Sequence, residues 1–434
     1  MIVLNSHKFS AGGRRIDFQY TVSGKALPFL RPEESFFIQY DEDVSSCPPS
    51  LLVVPFLANF APIAWFGGFD IEVPEVDEAF NGSLVNLRDE FQKMYPSHRL
   101  TGQVISRQVA RNHWESERVL QLFSGGLDAY DTLIRHRGKP LELVTIQGAD
   151  VDLTDAKQWS ERQRHITSDP LPAQFIHHTI RANLRTFYTV EVELRLAFQW
   201  WGRVQHGLGL VGLLAPLSYL RRSNTGIIAS TFNYSTAWGS TKKTDEKISW
   251  AGFQCIHDGA LAGRQEKTRE VVAFTLAQKT PVTLSVCYSE KERDGNCGKC
   301  EKCYRTITNL IVAGGDPRNF GFPLTDQIFS DIFNKMAEVP GDARGLATWQ
   351  EIADAAEVAL TQKSYPDLFD RTTTQQFLQR LASGEVTRFL AKNQPSRFRP
   401  SPETLLYYRS YWPRGYILVR EIVNFLKRIT SAKF

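Results

Sequence analysis

A parallel α/β sheet, preceded by a β-rich segment and followed by helices, is the architecture this sequence predicts, on three observations. From about residue 116 to 315, short apolar strands alternate with helices, the pattern of parallel strands joined by crossovers. Before about residue 115, brief β-branched and aromatic runs are separated by Gly, Pro and Asp. Beyond Asp316, apolar residues recur at helical spacing between polar faces. The expected division is therefore 1–115, 116–315 and 316–434.

In the first segment, Ile16–Val22 (IDFQYTV) and Ser35–Tyr40 (SFFIQY) read as strands. Leu51–Phe69 carries no charge and approaches the length of a membrane span. Pro55, Asn59, Pro62 and the pair Gly67-Gly68 argue against a span in lipid, and the segment is expected as two buried strands joined by a turn. Val76–Tyr95 has helical spacing. In the central segment VLQLFS reads as a strand, DAYDTLIRH as a helix, LELVTIQ as a strand and Asp155–Ile166 as a polar helix. An apolar helix, His206–Leu220, then leads to a buried strand, Thr225–Ser230. Residues 366–393 and 416–434 read as helices of the tail, and no internal repeat is present.

Composition bounds the function. With 434 residues, 42% hydrophobic and 23% charged, the chain can bury a core and is neither disordered nor collagen-like. The net charge, 51 − 47 = +4, names neither nucleic acid nor membrane as a partner. Six cysteines, four of them clustered, suit a reducing cytoplasm and a metal better than a disulfide framework. The opening residues MIVLNSHKFSAGGRR lack the pattern of a secretory signal, so a cytoplasmic location is expected.

Two constellations carry chemistry. In LQLFSGGLDAYDTL an apolar strand ends at Phe123, Gly125 and Gly126 allow a tight turn, and a helix begins near Asp128. Backbone N–H groups converge there, the helix end adds partial positive charge and Ser124 adds a hydroxyl, which together make a phosphate site. The turn lacks the lysine and spacing of the two commoner nucleotide fingerprints. An ordinary glycine turn, with Asp128 simply starting a helix, is the alternative. The second constellation places Cys287, Cys297, Cys300 and Cys303 as CxxxxxxxxxCxxCxxC. Four thiolates close a tetrahedral shell around Zn²⁺ and leave no position for water, so a structural zinc is expected, with an iron–sulfur cluster or redox thiols as alternatives. Cys47 and Cys255 read as ordinary buried thiols.

Together the SGGxD turn and the cysteines resemble the QueC family of 7-cyano-7-deazaguanine synthases, N-type ATP pyrophosphatases, over about Glu117 to Leu310. The resemblance implies a Rossmann-like PP-loop fold of the adenine nucleotide α-hydrolase kind, with ATP and Mg²⁺ used to adenylate a 7-deazaguanine carboxylate before an amine attacks. It implies that Phe123, Ser124, Gly125, Gly126, Leu127, Asp128 and Ala129 cradle the nucleotide, and that the four cysteines hold zinc. Asp128, with Arg264 and Lys267 of a segment that also holds His257 and Asp258, would carry the chemistry. His206 and Gly207, beside Gln205, and Gly239, Ser240 and Asp245, beside Trp238, would meet substrate, while Lys242 and Lys243 are candidates for phosphate. The plain alternatives are a helix-capping histidine, a solvated turn and a surface helix with charges three apart.

The chain also departs from the family. Ala129 stands where the motif usually has a second serine, and long additions flank the central segment. Such enlarged QueC-like proteins resemble those of the Qat and type IV CBASS antiphage systems, where the implied acceptor is an amine of a partner protein. Two rivals follow: nitrile synthesis for tRNA modification with ammonia, and a non-catalytic protein whose zinc knuckle contacts RNA; Trp200, Trp201 and Trp238 could stack on bases, though such aromatics more often fill core.

Overall fold

Eleven strands join in one sheet across the described residues of a computed structural model, namely 1–31, 33–230, 238–287, 295–393 and 402–412. β1 (Ile2–Ser10) and β2 (Arg15–Val22) form an antiparallel hairpin, and β3 (Phe37–Tyr40) pairs antiparallel with β2. Helices α1 (Pro49–Leu52) and α2 (Val54–Gly67) follow, then β4 (Ile71–Asp77), α3 (Glu78–Met94) and β5 (Val104–Ala110). The central run is β6 (Val119–Leu122), α4 (Leu127–His136), β7 (Leu141–Gln147), α5 (Ala156–Ser168) and β8 (Ile176–Ala182). Two π-helical turns, Val192–Leu196 and Trp201–Gln205, precede α6 (His206–Gly212), α7 (Leu214–Arg221) and β9 (Thr225–Ala229). Next come α8 (Lys242–Asp245), β10 (Ser249–Trp250), β11 (Phe253–Asp258) and α9 (Arg264–Gln278). The remaining helices are α10 (Glu301–Val312), α11 (Ile328–Glu338), α12 (Ala343–Gln362), α13 (Arg371–Ala382), α14 (Glu385–Lys392) and α15 (Pro402–Tyr411).

Across the sheet the order is β10-β11-β9-β6-β7-β8-β3-β2-β1-β4-β5. Strands β11, β9, β6, β7 and β8 run parallel. From β6 the chain builds outward through β7 and β8, then crosses back to place β9 and β11 on the other side. Loops leaving the C-terminal ends of β6 and β9 therefore diverge, and the crevice between them is where parallel sheets bind ligands. The Phe123–Ala129 turn leaves β6 at that crevice.

Alternate residues of each strand face opposite layers. Leu120, Val144 and Ile228 pack in one core with Phe56 and Phe60 of α2 and Leu208 and Val211 of α6. Val119, Leu143 and Ile227 face the other, with Leu133 of α4, Val271 of α9, Ile307 of α10 and Trp349 of α12. The expected boundary at 115 falls between β5 and β6, but sheet and core run through it, because β3 pairs with β8 and α2 packs on α6. The tail helices add to that second layer by packing onto α9 and α10.

Most expected elements are present, with two corrections. The Leu51–Phe69 segment is helical, not a pair of strands. Pro55 lies in the first turn of α2, where its missing N–H costs nothing, and Gly68 ends the helix at φ +65°. The helix is buried from Val54 to Trp65, so even Pro62 is held by packing, and Asn59 satisfies its amide with Pro55 O at 2.9 Å and Gln205 Nε2 at 2.8 Å. The apolar stretch from His206 is two helices, broken at Leu213 ahead of Pro216. Strands β1, β4, β5, β8, β10 and β11 have no counterpart among the expected ones. Residues 416–434 and 231–237, parts of two motifs read above, lie outside the described residues. Among the described residues no helix is long and apolar enough to cross a membrane.

Candidate functional site

The turn after β6 is held from behind by its carbonyls. Phe123 stays in the sheet through its N–H to Val144 O at 2.8 Å, and Thr145 Oγ1, itself 2.8 Å from His177 Nε2, donates to Phe123 O at 2.7 Å. Arg162 of α5 donates to Ser124 O, and the N–H of Ser285 donates to Gly125 O at 2.7 Å. In a planar trans peptide each pinned carbonyl turns the next N–H the opposite way, so Gly125 and Gly126 present theirs away from these supports. The Gly126 N–H reaches Ser124 Oγ only at 3.4 Å. Gly125 has φ +75°, which disfavours any residue with a Cβ. Gly126 is the N-cap of α4 and, among the described residues, no side chain caps that helix, so its first turn keeps donors for a ligand.

Three predicted residues meet at this turn. Asp128, in the first turn of α4, lies 3.3 Å from Lys267 Nζ and 3.4 Å from Arg264 Nη1. Lys267 is 1% exposed and also donates to the carbonyl of Ser230 at the end of β9, so it spans the crevice from β9 to α4. The surface-helix alternative fails for Lys267. Buried without a partner among the described residues are Arg264 Nε and His165 Nε2, the latter 3.8 Å from where a Cβ on Gly125 would lie. Behind them Asp258 accepts from Thr132 at 2.8 Å, Arg135 at 2.7 Å and His136 at 3.1 Å. Burial works against its charge, but these donors hold its carboxyl well below the usual range.

The residues expected to meet substrate form a second cluster. Asp245 is fully buried and accepts from Ser240 Oγ at 2.6 Å, and His257 Nδ1 lies 2.8 Å from the same oxygen. Gly207 donates to Gly239 O at 3.2 Å, and a Cβ on Gly207 would collide with Asp245. His206 sits between Trp201 and Trp238, with ring centres 5.3 and 5.9 Å away. Burial lowers its pKa, and among the described residues its Nδ1 has no partner. The π-helical turn that ends at Gln205 sets this ring, and such turns recur at functional sites. Lys242 and Lys243 are exposed, as the solvated-turn alternative has it. Trp200 is wholly buried and cannot stack on a base.

All four cysteines of the cluster come together, their sulfurs within 4.8 Å of one another. Cys287 and Cys300 are 3.9 Å apart and Cys297 and Cys303 3.7 Å, close to the ~3.8 Å edge of a tetrahedron with zinc–sulfur bonds of about 2.3 Å. N–H groups of Lys299 and Cys300 point at Cys297 Sγ, and that of Cys303 at Cys300 Sγ. Such donors favour thiolates, and the set can hold a metal such as zinc. Asn296, next to Cys297, clamps the adjoining segment, bonding Val286 N at 3.0 Å and Leu284 O at 2.7 Å. That segment carries Ser285, so the cysteine cluster buttresses the turn. Cys47 and Cys255 are buried, and burial raises both thiols.

Arg162, His165, Thr145 and Ser285 escaped the sequence reading. Only the spacing of Arg162 and His165, three apart on the helix after β7, hinted that one face of α5 meets the turn. No family model matches the chain, no curated protein matches its sequence and no solved structure matches its fold. Fold and site define the class by themselves: an α/β protein with a mostly parallel sheet, a charged glycine turn at its crevice and a four-cysteine cluster beside it.

Proposed function

We propose that this chain is a QueC-like, PP-loop ligase that uses ATP to join a 7-deazaguanine carboxylate to an amine, that of a partner protein in antiphage defence. The observation that carries this reading is the convergence of Lys267 and Arg264 on Asp128 at an uncapped helix start beside the glycine turn. That arrangement suits a polyphosphate: N–H groups and two cations meet the anionic oxygens, and Asp128 would hold Mg²⁺, which supplies further neutralising charge when bound.

The carboxylate oxygen attacks the α-phosphorus and the bond to pyrophosphate breaks, giving an acyl adenylate. The amine nitrogen then attacks the acyl carbon, loses a proton, and AMP leaves. Carboxylate oxygen is a poor leaving group and AMP a good one, so positioning and charge suffice and no nucleophilic side chain is needed. A flat nitrogen-rich ring suits the second cluster, where His206 lies beside the rings of Trp201 and Trp238. The four cysteines would hold zinc with every position filled, which serves structure and not chemistry.

The test incubates the protein with ATP, 7-carboxy-7-deazaguanine and a candidate partner. AMP and pyrophosphate that depend on the acid, with a mass increase on the partner, are expected. Full turnover with ammonia alone moves the assignment to nitrile synthesis, and a zinc-replete protein that never cleaves ATP between its α- and β-phosphates defeats it.

A further inference from the structure

Both cations of the site stand in the first turn of α9, yet that helix has no cap of its own. Gly263 occupies the N-cap position and brings no side chain. The acceptor comes instead from 86 residues away: Glu351, within α12, places Oε1 3.0 Å from the N–H of Gln265. A Cβ on Gly263 would lie 2.5 Å from the same oxygen, so the glycine makes room for the carboxylate. Gln265 is 2% exposed, and its side chain donates to Asn309 O of α10 at 3.1 Å. Two helices from the C-terminal part of the chain therefore grip Gln265, which lies between Arg264 and Lys267. A carboxylate at a helix N-terminus satisfies an orphan N–H and complements the positive helix end, which keeps the first turn from fraying.

We propose that Glu351 is a positioning residue for Arg264 and Lys267, through which the C-terminal helices reach the glycine turn. Without its carboxylate, the first turn of α9 loosens and Lys267 leaves Asp128 and Ser230. The inference deepens the phosphate-site reading, and only its activity arm rests on that reading.

Two readouts on the full-length, zinc-replete protein test it: labelling of Lys267 by an amine-reactive reagent, followed by peptide mass, and acid-dependent pyrophosphate release from ATP. In Glu351→Ala, Lys267 is labelled about tenfold faster, the scale set by the loss of an N-cap, while the exposed Lys93 is unchanged. Pyrophosphate release slows about tenfold in kcat, with little change in KM for ATP. Adding Gly263→Ser to Glu351→Ala supplies a local cap in the vacated space and restores both readouts, which repair of general instability would not do. In a Lys267→Ala background, Glu351→Ala costs little further rate. Unchanged labelling in Glu351→Ala, or no rescue by Gly263→Ser, overturns the proposal. Wild-type protein inert toward ATP, with labelling that still responds to Glu351, would fell the phosphate reading and leave this one standing. If Glu351→Ala does not fold alone, the double variant folded and with Lys267 protected supports the proposal, and the double variant equally unfolded overturns it.

Discussion

Lys267 and His178 are two buried cations held for different ends. A lysine with 1% exposure persists only where partners replace water, and Lys267 has Asp128 and the Ser230 carbonyl at the mouth of the crevice. His178 lies instead between the sheet and α7, where Nε2 is 2.8 Å from Glu142 and Nδ1 faces Asp41 and Glu42 at 3.6 and 3.3 Å. Burial pushes this imidazole down, but its hydrogen bonds to Asp41 and Glu142 more than reverse that and raise it to about 9. Its folded pKa thus exceeds the unfolded value of about 6.5, so its stabilisation is complete below pH 6.5 and disappears as pH rises through 9. Unfolding free energy measured by urea titration is expected to fall by on the order of 1–2 kcal/mol between those limits, after allowance for solvent screening. His178→Gln flattens that dependence, and an equally steep loss in the variant would refute the assignment. His177, one residue away on the opposite face, is pushed down to about 4 chiefly by burial and stays neutral across this window.

At the level of elements, the cysteine cluster shows how a metal would act at a distance. It does not touch the glycine turn; it anchors the segment whose Ser285 N–H holds Gly125 O. Cys297→Ser, which removes the sulfur that accepts from Lys299 and Cys300, is expected to lose one equivalent of zinc by elemental analysis and several degrees of thermal midpoint. Full zinc and an unchanged midpoint in that variant would show that these sulfurs hold no metal. This cluster was legible because ligand spacing is local, as was the turn, where a strand, two glycines and an acidic helix start adjoin in sequence. Helix α2 was not legible, because a helix apolar on every face shows no 3.6-residue period and its prolines imitate strand breaks. Arg162 and Glu351 were hidden for another reason: each acts on backbone atoms far away in the chain, and nothing near it in sequence reports that contact.

Taken as a whole, the molecule sets the crevice strands β9 and β6 third and fourth in a single eleven-stranded sheet, and opposite ends of the chain contribute to the layers on its two faces. Residues before 115 supply α2 and the five strands from β1 to β5, and those beyond 316 supply helices that pack onto α9 and α10 on the other side. If the first segment were an appended module, a chain starting at residue 116 would fold. The pairing of Ile38 with Ala182 and Tyr40 with Ile180 argues otherwise, because its loss strips β8 of its neighbour and opens a sheet edge. The same truncation removes Phe56 and Phe60 from the core that holds Leu208, Val211 and Leu214, and Gly212 loses its close approach to Ala58. Burial of large aromatic side chains is worth about 2–3 kcal/mol each, so the loss of a handful is comparable with the ~5–15 kcal/mol that stabilises a typical domain. Residues 116–434 alone are therefore expected to be insoluble, or to bind a hydrophobic dye and unfold without a cooperative transition. A soluble fragment with a sharp thermal transition would mean that the central strands need no help from the first 115 residues, and that the continuous core is not what holds the crevice open.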